Sequence, residues 1–327
     1  MKRLKYTLAL LFCFVASKSF LAQQGWLQSS ASRKMHRHHL NEVVLKFNNG
    51  EQGHCWISHQ GKPKLLLLHG ITGNAEVQFG RNAAHLCKEF DVIALDLKFH
   101  GESKNLPQGF AIEDQVNWVA DCLMLLAQQY NDESFAHVHV VGNSYGGIVA
   151  GIFADHYPQM VKELTLIDAP IRFFTSVMAD SIAKEAGVNH FFDLLSPQDV
   201  ETFRKRTDLA LYRKIWIPKK IAKKMIGGEL KDKRNEHWQL VQSLQTSENY
   251  WNNYDLKWKC KVHLFWGEAD ELIPLEVGQR QGAYFKNATF QVLPKVGHVW
   301  NMERSRQFNR WLIKNQNSHR TLITPSF

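Results

Sequence analysis

A chain of 327 residues, 44% hydrophobic and 22% charged, is long enough for one large α/β domain with an insertion and too apolar for the disordered class. Its formal charge is +9, but residues 1–22 hold four cations, Lys2, Arg3, Lys5 and Lys18, and no acid, so the remainder carries +5. No basic-aromatic repeat or zinc-finger spacing accompanies that charge, which argues against a nucleic-acid partner.

Lys2, Arg3 and Lys5 precede an apolar run from Thr7 to Ala16, and small residues follow at Ser17 and Ser19. This is the pattern of an export signal over residues 1–22, and it predicts a secreted or periplasmic protein. The run is short for a membrane span and is broken by Lys18, so retention as an uncleaved anchor is the alternative. Phe12 stands before Cys13 where a lipoprotein signal needs a small residue. Cys55, Cys87, Cys122 and Cys260 are even in number, yet Cys87 and Cys122 sit in helical apolar patterns and no two cysteines form a metal pair. Buried free thiols are expected. Residues 23–40 read as a surface lead-in; Met35-His36-Arg37-His38-His39 has no carboxylate or cysteine beside it and reads as a solvated basic patch, not a metal site.

Two strand signals, Glu42–Phe47 and His54–His59, flank Asn48-Asn49-Gly50, a hairpin turn. Lys64–Leu68 is a continuous apolar run, as expected of a strand covered on both faces. It ends in His69-Gly70-Ile71-Thr72-Gly73. A helical stretch, Glu76–Phe90, leads to a strand at Val92–Leu95 ending in Asp96, then to an amphipathic helix with Ile112, Val116, Val119, Leu123, Leu126 and Tyr130 on one stripe. Val138–Val141 is β-branched and runs into Gly142-Asn143-Ser144-Tyr145-Gly146-Gly147, followed by a small-residue helix from Ile148 to Asp155. Strand, G-x-S-x-G and helix together make a nucleophile elbow. The tight turn strains Ser144, and its neighbours two positions either side, Gly142 and Gly146, lack the Cβ that would collide. Another strand, Val161–Ile167, ends at Asp168. Strands and helices alternating at this spacing imply a parallel sheet with right-handed crossovers.

The rhythm breaks from Ile171 to about Lys257, where helical stretches such as Phe174–Glu185, Pro197–Tyr212 and Pro218–Ile226 replace strands. The predicted organisation is α/β core over residues 41–170, helical cap over 171–257, core again over 258–315, and a loose tail over 316–327. Residues 201–234 hold twelve Lys or Arg against four acids, with Leu211, Ile215, Ile217, Ile221 and Met225 between them. Such a stretch reads first as a solvated cap face whose apolar residues look into the pocket, with contact to an anionic membrane surface as the alternative. Strands Val262–Trp266 and Thr289–Leu293 follow, ending in Gly267-Glu268-Ala269-Asp270 and Pro294-Lys295-Val296-Gly297-His298, and a last helix spans Met302–Lys314.

Ligands of parallel sheets gather at the carboxyl ends of the strands, which here carry His69-Gly70, Asp96, Ser144, Asp168, Asp270 and His298. A serine hydroxyl needs a base, which His298 supplies, and the imidazole needs a carboxylate to set its tautomer, for which Asp270 is the first choice. Asp168 and Glu268 are the alternatives. The order Ser, Asp, His is that of α/β-hydrolases. Asp96 reads as a turn and N-cap residue, and His69 and His100 as structural or pocket-lining.

On these motifs the chain resembles the capped α/β-hydrolase superfamily, and its serine esterase and lipase-like members in particular, over nearly all of residues 40–315. The landmarks are Leu68-His69-Gly70, Asp96 with His100-Gly101-Glu102-Ser103, the Ser144 elbow, Trp266–Asp270 and Gly297-His298. The resemblance implies a mostly parallel doubly wound sheet with an antiparallel N-terminal hairpin and a helical cap. It also implies an oxyanion hole from the backbone N–H groups of Ile71 and Tyr145, and places the helices of Cys87 and Cys122 on opposite sheet faces. Dehalogenases and typical epoxide hydrolases of the superfamily have an elbow aspartate and a proline after His-Gly; Ser144 and Thr72 stand there, which argues against both activities. Lys98-Phe99 replaces the usual Arg-Gly and leaves that segment's role open. Phe173, Phe174, Phe191, Phe192, Trp216 and Ile217 in the cap suggest an apolar acyl or aromatic substrate. The expected activity is carboxylic ester hydrolysis through an acyl-enzyme, a chemistry that calls for no metal or organic cofactor. Carbon–carbon hydrolysis of ring-cleavage-type diketones is the alternative, although export separates the chain from such cytoplasmic substrates. A non-catalytic ligand-binding role is a third. Composition is silent on oligomeric state.

Overall fold

The computed structural model describes residues 32–33, 35–36 and 38–321. The expected export signal, or anchor, at 1–22 and the last residues of the expected tail lie outside them. Eight strands form one sheet: β1 (Asn41–Lys46), β2 (Gln52–Ile57), β3 (Lys64–Leu68), β4 (Asp91–Leu95), β5 (Val138–Asn143), β6 (Val161–Ile167), β7 (Lys261–Gly267) and β8 (Ala288–Leu293). Their order is β1-β2-β4-β3-β5-β6-β7-β8. β1 pairs antiparallel with β2, β2 pairs antiparallel with β4, and every later pair is parallel. The hairpin turn works because Gly50 takes φ +90°, a left-handed conformation open to glycine.

Helices cover both faces, and the parity of the strand residues divides the core between them. Leu66, Leu68, Ile93, Leu95, Val138 and Val140 face α2 (Ile112–Tyr130) and α3 (Tyr145–His156) in one apolar core. Leu65, Leu67, Val92, Ala94 and Val141 face α1 (Ala75–Leu86) and the carboxyl-terminal helix in another. That two-sided burial is why these strands read as runs and not as alternations. Cys122 lies in the first core and Cys87 in the second, and all four described cysteines are free thiols. Met35 is fully buried in the second core, so the lead-in is anchored there and is not only a solvated patch.

Between β6 and β7 stand seven described helices: α4 (Ser176–Glu185), α5 (Phe191–Leu195), α6 (Val200–Ala210), α7 (Lys219–Ile226), α8 (Glu229–Asp232), α9 (Arg234–Thr246) and α10 (Glu248–Asn253). Leading the chain out of β7 and β8 come α11 (Leu275–Tyr284), α12 (Trp300–Glu303) and α13 (Ser305–Thr321). Helix α13 continues to Thr321, past residue 316 where the tail was expected, and Gln316 is buried. In the basic stretch, Ile217, Ala222 and Met225 bury against Phe203 and Leu230 in a small core of their own, while Lys219, Lys220, Lys223 and Lys224 are exposed. Ile217, Ala222 and Met225 therefore serve the insertion's own packing and do not line the cleft at Ser144.

Candidate active site

Ser144 sits between β5 and α3 with φ 54° and ψ −123°, a region that costs a non-glycine residue on the order of 1–3 kcal/mol. A Cβ on Gly142 would fall 2.3 Å from the Gly146 carbonyl oxygen, and one on Gly146 would fall 2.3 Å from the His69 carbonyl oxygen. The strained turn is thus compressed between its own helix and the end of β3. Among the described residues neither the Tyr145 nor the Ile71 N–H donates a hydrogen bond, and both residues line the cleft beside Ser144. Thr72, next in the chain, has φ 59°, which a proline ring locked near −65° could not adopt. The departure at this position is therefore conformational as well as chemical.

Nδ1 of His298 lies 2.7 Å from Oδ2 of Asp270, both side chains nearly sealed from solvent. The other carboxylate oxygen of Asp270 accepts from Leu272 and Ile273 N–H at 3.0 and 2.9 Å, which fixes the carboxylate beneath the ring. Asp168 comes close but is not bonded to the histidine: its Oδ1 accepts from Gly267 N–H at 2.7 Å and its buried Oδ2 has no partner. Burial first, and then the neighbouring Asp270 charge, push the Asp168 carboxyl well above the usual carboxylate range. Glu268 is exposed and accepts from Lys295 N–H at 3.1 Å, away from His298. Asp168, Asp270 and His298 are also the one described group whose donor atoms cluster tightly enough to suggest a cation site. A carboxyl whose burial disfavours its charged form and an imidazole already bonded through Nδ1 suit it poorly to that use.

A buried chain of amides, not anticipated from sequence, ties the three loops together. Gly70 N–H donates to Gln78 Oε1 at 2.8 Å, Gln78 Nε2 donates to Asn143 Oδ1, and Asn143 Nδ2 donates to the carbonyls of Ile167 and His298 at 3.0 Å each. The loop of Ile71, the elbow and the loop of His298 are thereby held in mutual register. The available signal was a polar Gln78 among the apolar residues of α1 and an amide directly before the serine.

The remaining polar groups at the strand ends make structural contacts. Asp96 accepts from Ala75 N–H at 2.7 Å, Glu102 N–H at 3.0 Å and His54 Nδ1 at 2.7 Å; the N-cap of α1 is Asn74. His69 Nε2 accepts from Leu97 N–H and its Nδ1 donates to Gly70 O, which sets a neutral tautomer, and burial lowers its pKa further. His100 stacks on His237 at 4.4 Å, and burial holds both uncharged, His237 down to about 3. Lys98 Nζ lies 3.3 Å from Glu51 at the hairpin, and Phe99 stacks on Phe110, so this segment braces the antiparallel edge of the sheet.

Two lobes meet at Ser144. The larger, about 130 Å³, is apolar and lined by Ile148, Ile171, Phe174, Phe191, Leu244 and Trp251 among others. The smaller, about 80 Å³, holds His298, Gln78, Asn143, Phe203, Arg206 and Met302. Of the six cap residues expected to shape the pocket only Phe174 and Phe191 do so; Trp216 is 79% exposed, and Phe173, Phe192 and Ile217 pack elsewhere. No described helix is long and apolar enough to cross a membrane.

The alpha/beta hydrolase fold family matches residues 63–305. Similar proteins include monoacylglycerol lipase ABHD6 of Homo sapiens, 23% identical over 88% of this chain and 83% of that one. Lipase 1 of Psychrobacter immobilis is 27% identical over 73% of this chain and 72% of its own. Among solved structures, a membrane phospholipase A described as a bacterial virulence factor superposes with a TM-score of 0.72 at 22% identity, covering 98% of this chain and 99% of that one. With its sheet order, its elbow and a family match over most of its length, the chain belongs to the α/β hydrolase fold family.

Proposed function

We propose that the chain is a serine hydrolase that cleaves carboxylic esters bearing an apolar acyl or aromatic group. The observation that carries this is the 2.7 Å contact of His298 Nδ1 with Asp270, in a cleft that His298 shares with the strained Ser144. In this reading Ser144 Oγ attacks the ester carbonyl and passes its proton to His298 Nε2, which delivers it to the departing alcohol. Water then gives a proton to His298 and its oxygen attacks the acyl-enzyme, releasing the acid and restoring the Ser144 hydroxyl. The free Ile71 and Tyr145 N–H groups hold the oxyanion, each such donor contributing about 3 kcal/mol in the transition state. Asp270 orients His298 and balances its transient charge. The relatives that are named lipases support ester hydrolysis at the level of the family.

The same reading gives helices α4–α10 the part of a cap and residues 1–22 that of an export signal. A fluorophosphonate probe is expected to label Ser144 in the folded protein and to leave Ser144→Ala unlabelled; an inert Ser144 would favour a ligand-binding role and sink the catalytic one. A lobe of about 130 Å³ resembles cavities that hold a benzene ring, so p-nitrophenyl esters of about four to six carbons should turn over fastest. If every ester is inert while a vinylogous diketone is cleaved, carbon–carbon hydrolysis replaces this reading.

A further inference from the structure

The smaller lobe contains one permanently charged side chain, and the mechanism above does not use it. Arg206, on the last turns of α6, lines that lobe together with Ser144 and His298. Its one hydrogen bond among the described residues is Nη2 to the Thr72 hydroxyl at 3.3 Å, while Thr72 in turn donates to Leu195 O at 3.0 Å. No carboxylate of the described residues pairs with it. A guanidinium carries five donors, so most of this one is unfilled in a partly buried cleft. Burial pulls its pKa down to about 10, the mark of a cation lacking an anion, yet it stays charged at neutral pH.

The position is also rigid. Four residues further on, Ala210 O accepts from His298 N–H at 2.8 Å, and Leu209 O accepts from Glu271 N–H at 3.0 Å. Helix α6 is thereby bolted to the loops of both the acid and the base, and a Cβ on Gly297 would strike Ala210 O at 2.4 Å. The apolar lobe has the opposite character: its one charged lining residue is Glu248, whose Oε2 accepts from Ser176 N–H. An anion is therefore disfavoured on the acyl side and unopposed on the other.

Resting on the ester-hydrolase reading, we infer that Arg206 is a substrate-binding residue that anchors an anionic oxyacid group, phosphate or carboxylate, on the alcohol half of the ester. The substrate class is an ester with a short apolar acyl chain in the large lobe and a negatively charged alcohol beside His298. Arg206 acts on binding and orientation; proton transfer stays with His298.

Three butyryl esters test this: those of glycerol, of glycerol 3-phosphate and of glycerate, assayed for kcat and KM with the full chain and with Arg206→Gln and Arg206→Lys. The native protein is expected to favour one or both anionic esters over the glycerol ester by about ten- to a hundred-fold in kcat/KM, the usual weight of a charge-assisted pair. The phosphate and carboxylate arms identify which anion is read. Arg206→Gln should erase that preference, mainly through KM, and Arg206→Lys should keep part of it. Added salt should weaken it in the native protein. Hydrolysis of the glycerol ester with no preference for either anion overturns the role of Arg206 and leaves the hydrolase reading intact. So does an equal loss on all three esters in both variants. No hydrolysis of any ester, with Ser144 unlabelled, instead overturns the hydrolase reading.

Discussion

At Asp168, burial and the adjacent Asp270 charge act in the same direction, and two carboxylates this close cannot both ionise cheaply. Asp270 accepts from two backbone N–H groups and faces the imidazole, whereas Asp168 has one backbone donor and no contact with the ring. The roles are thus separable by substitution. Asp270→Asn should lower kcat/KM by about 10⁴-fold, because the amide favours the wrong histidine tautomer. Asp168→Asn keeps an acceptor for Gly267 N–H at a site that does not touch His298 and should cost less than about ten-fold. A larger loss from Asp168→Asn, measured under the same conditions, would reverse the assignment. The serine, the base and the competing acids were all legible as strand-end residues; choosing among Asp168, Glu268 and Asp270 required side-chain directions that spacing does not contain. Gln78 was invisible for the same reason, since a polar residue in a helix reads as solvated until its partners are known.

Sheet and helix are joined at their lower edge by Glu163 of β6. Its carboxylate meets His263 of β7 at 2.9 Å, Asn315 of α13 and, at 3.8 Å, His139 of β5. Burial alone would raise its pKa, but the His263 hydrogen bond, the His139 charge and the Asn315 amide overcome this and hold it at about 2. A depressed carboxylate stabilises the fold above its unfolded value near 4.5, and that contribution is lost as pH falls through 2. Glu163→Gln should therefore cost about 3 kcal/mol near neutral pH, with the gap narrowing below about pH 4.5. Urea midpoints from pH 7 to 3 check this; a gap that does not change with pH would exclude the ionised Glu163 as its source. The helices between β6 and β7 were less legible than the sheet. Their apolar positions were plain, but Phe174 and Phe191 reach the cleft while Trp216 and Ile217 do not, and that depends on how the helices rotate against one another.

For the whole molecule, an exposed indole and exposed lysines lie close together along the insertion. Trp216 is 79% exposed just ahead of α7, whose Lys219, Lys220 and Lys223 are exposed and make no ion pair among the described residues. We propose this face as the contact with an anionic membrane, where an indole and lysines are jointly favoured. The Ser144→Ala protein should co-sediment with vesicles containing anionic phosphatidylglycerol and not with neutral phosphatidylcholine. Trp216→Ala combined with Lys220→Glu and Lys223→Glu should abolish that binding and leave soluble-ester turnover within about two-fold; retained binding would remove the proposal. The sequence by itself determined the sheet and its sidedness, because burial on two faces writes itself as apolar runs such as Lys64–Leu68. It also singled out Ser144 and His298 as candidates, because the elbow and the strand ends are local features. Only the tertiary structure decided that Asp270 is the carboxylate against His298, that Phe174 and Phe191 line the cleft, and that Arg206 lies beside Ser144 with no carboxylate partner among the described residues. Those are contacts between residues tens of positions apart, set by helix packing and loop direction, and no periodicity along the chain encodes them.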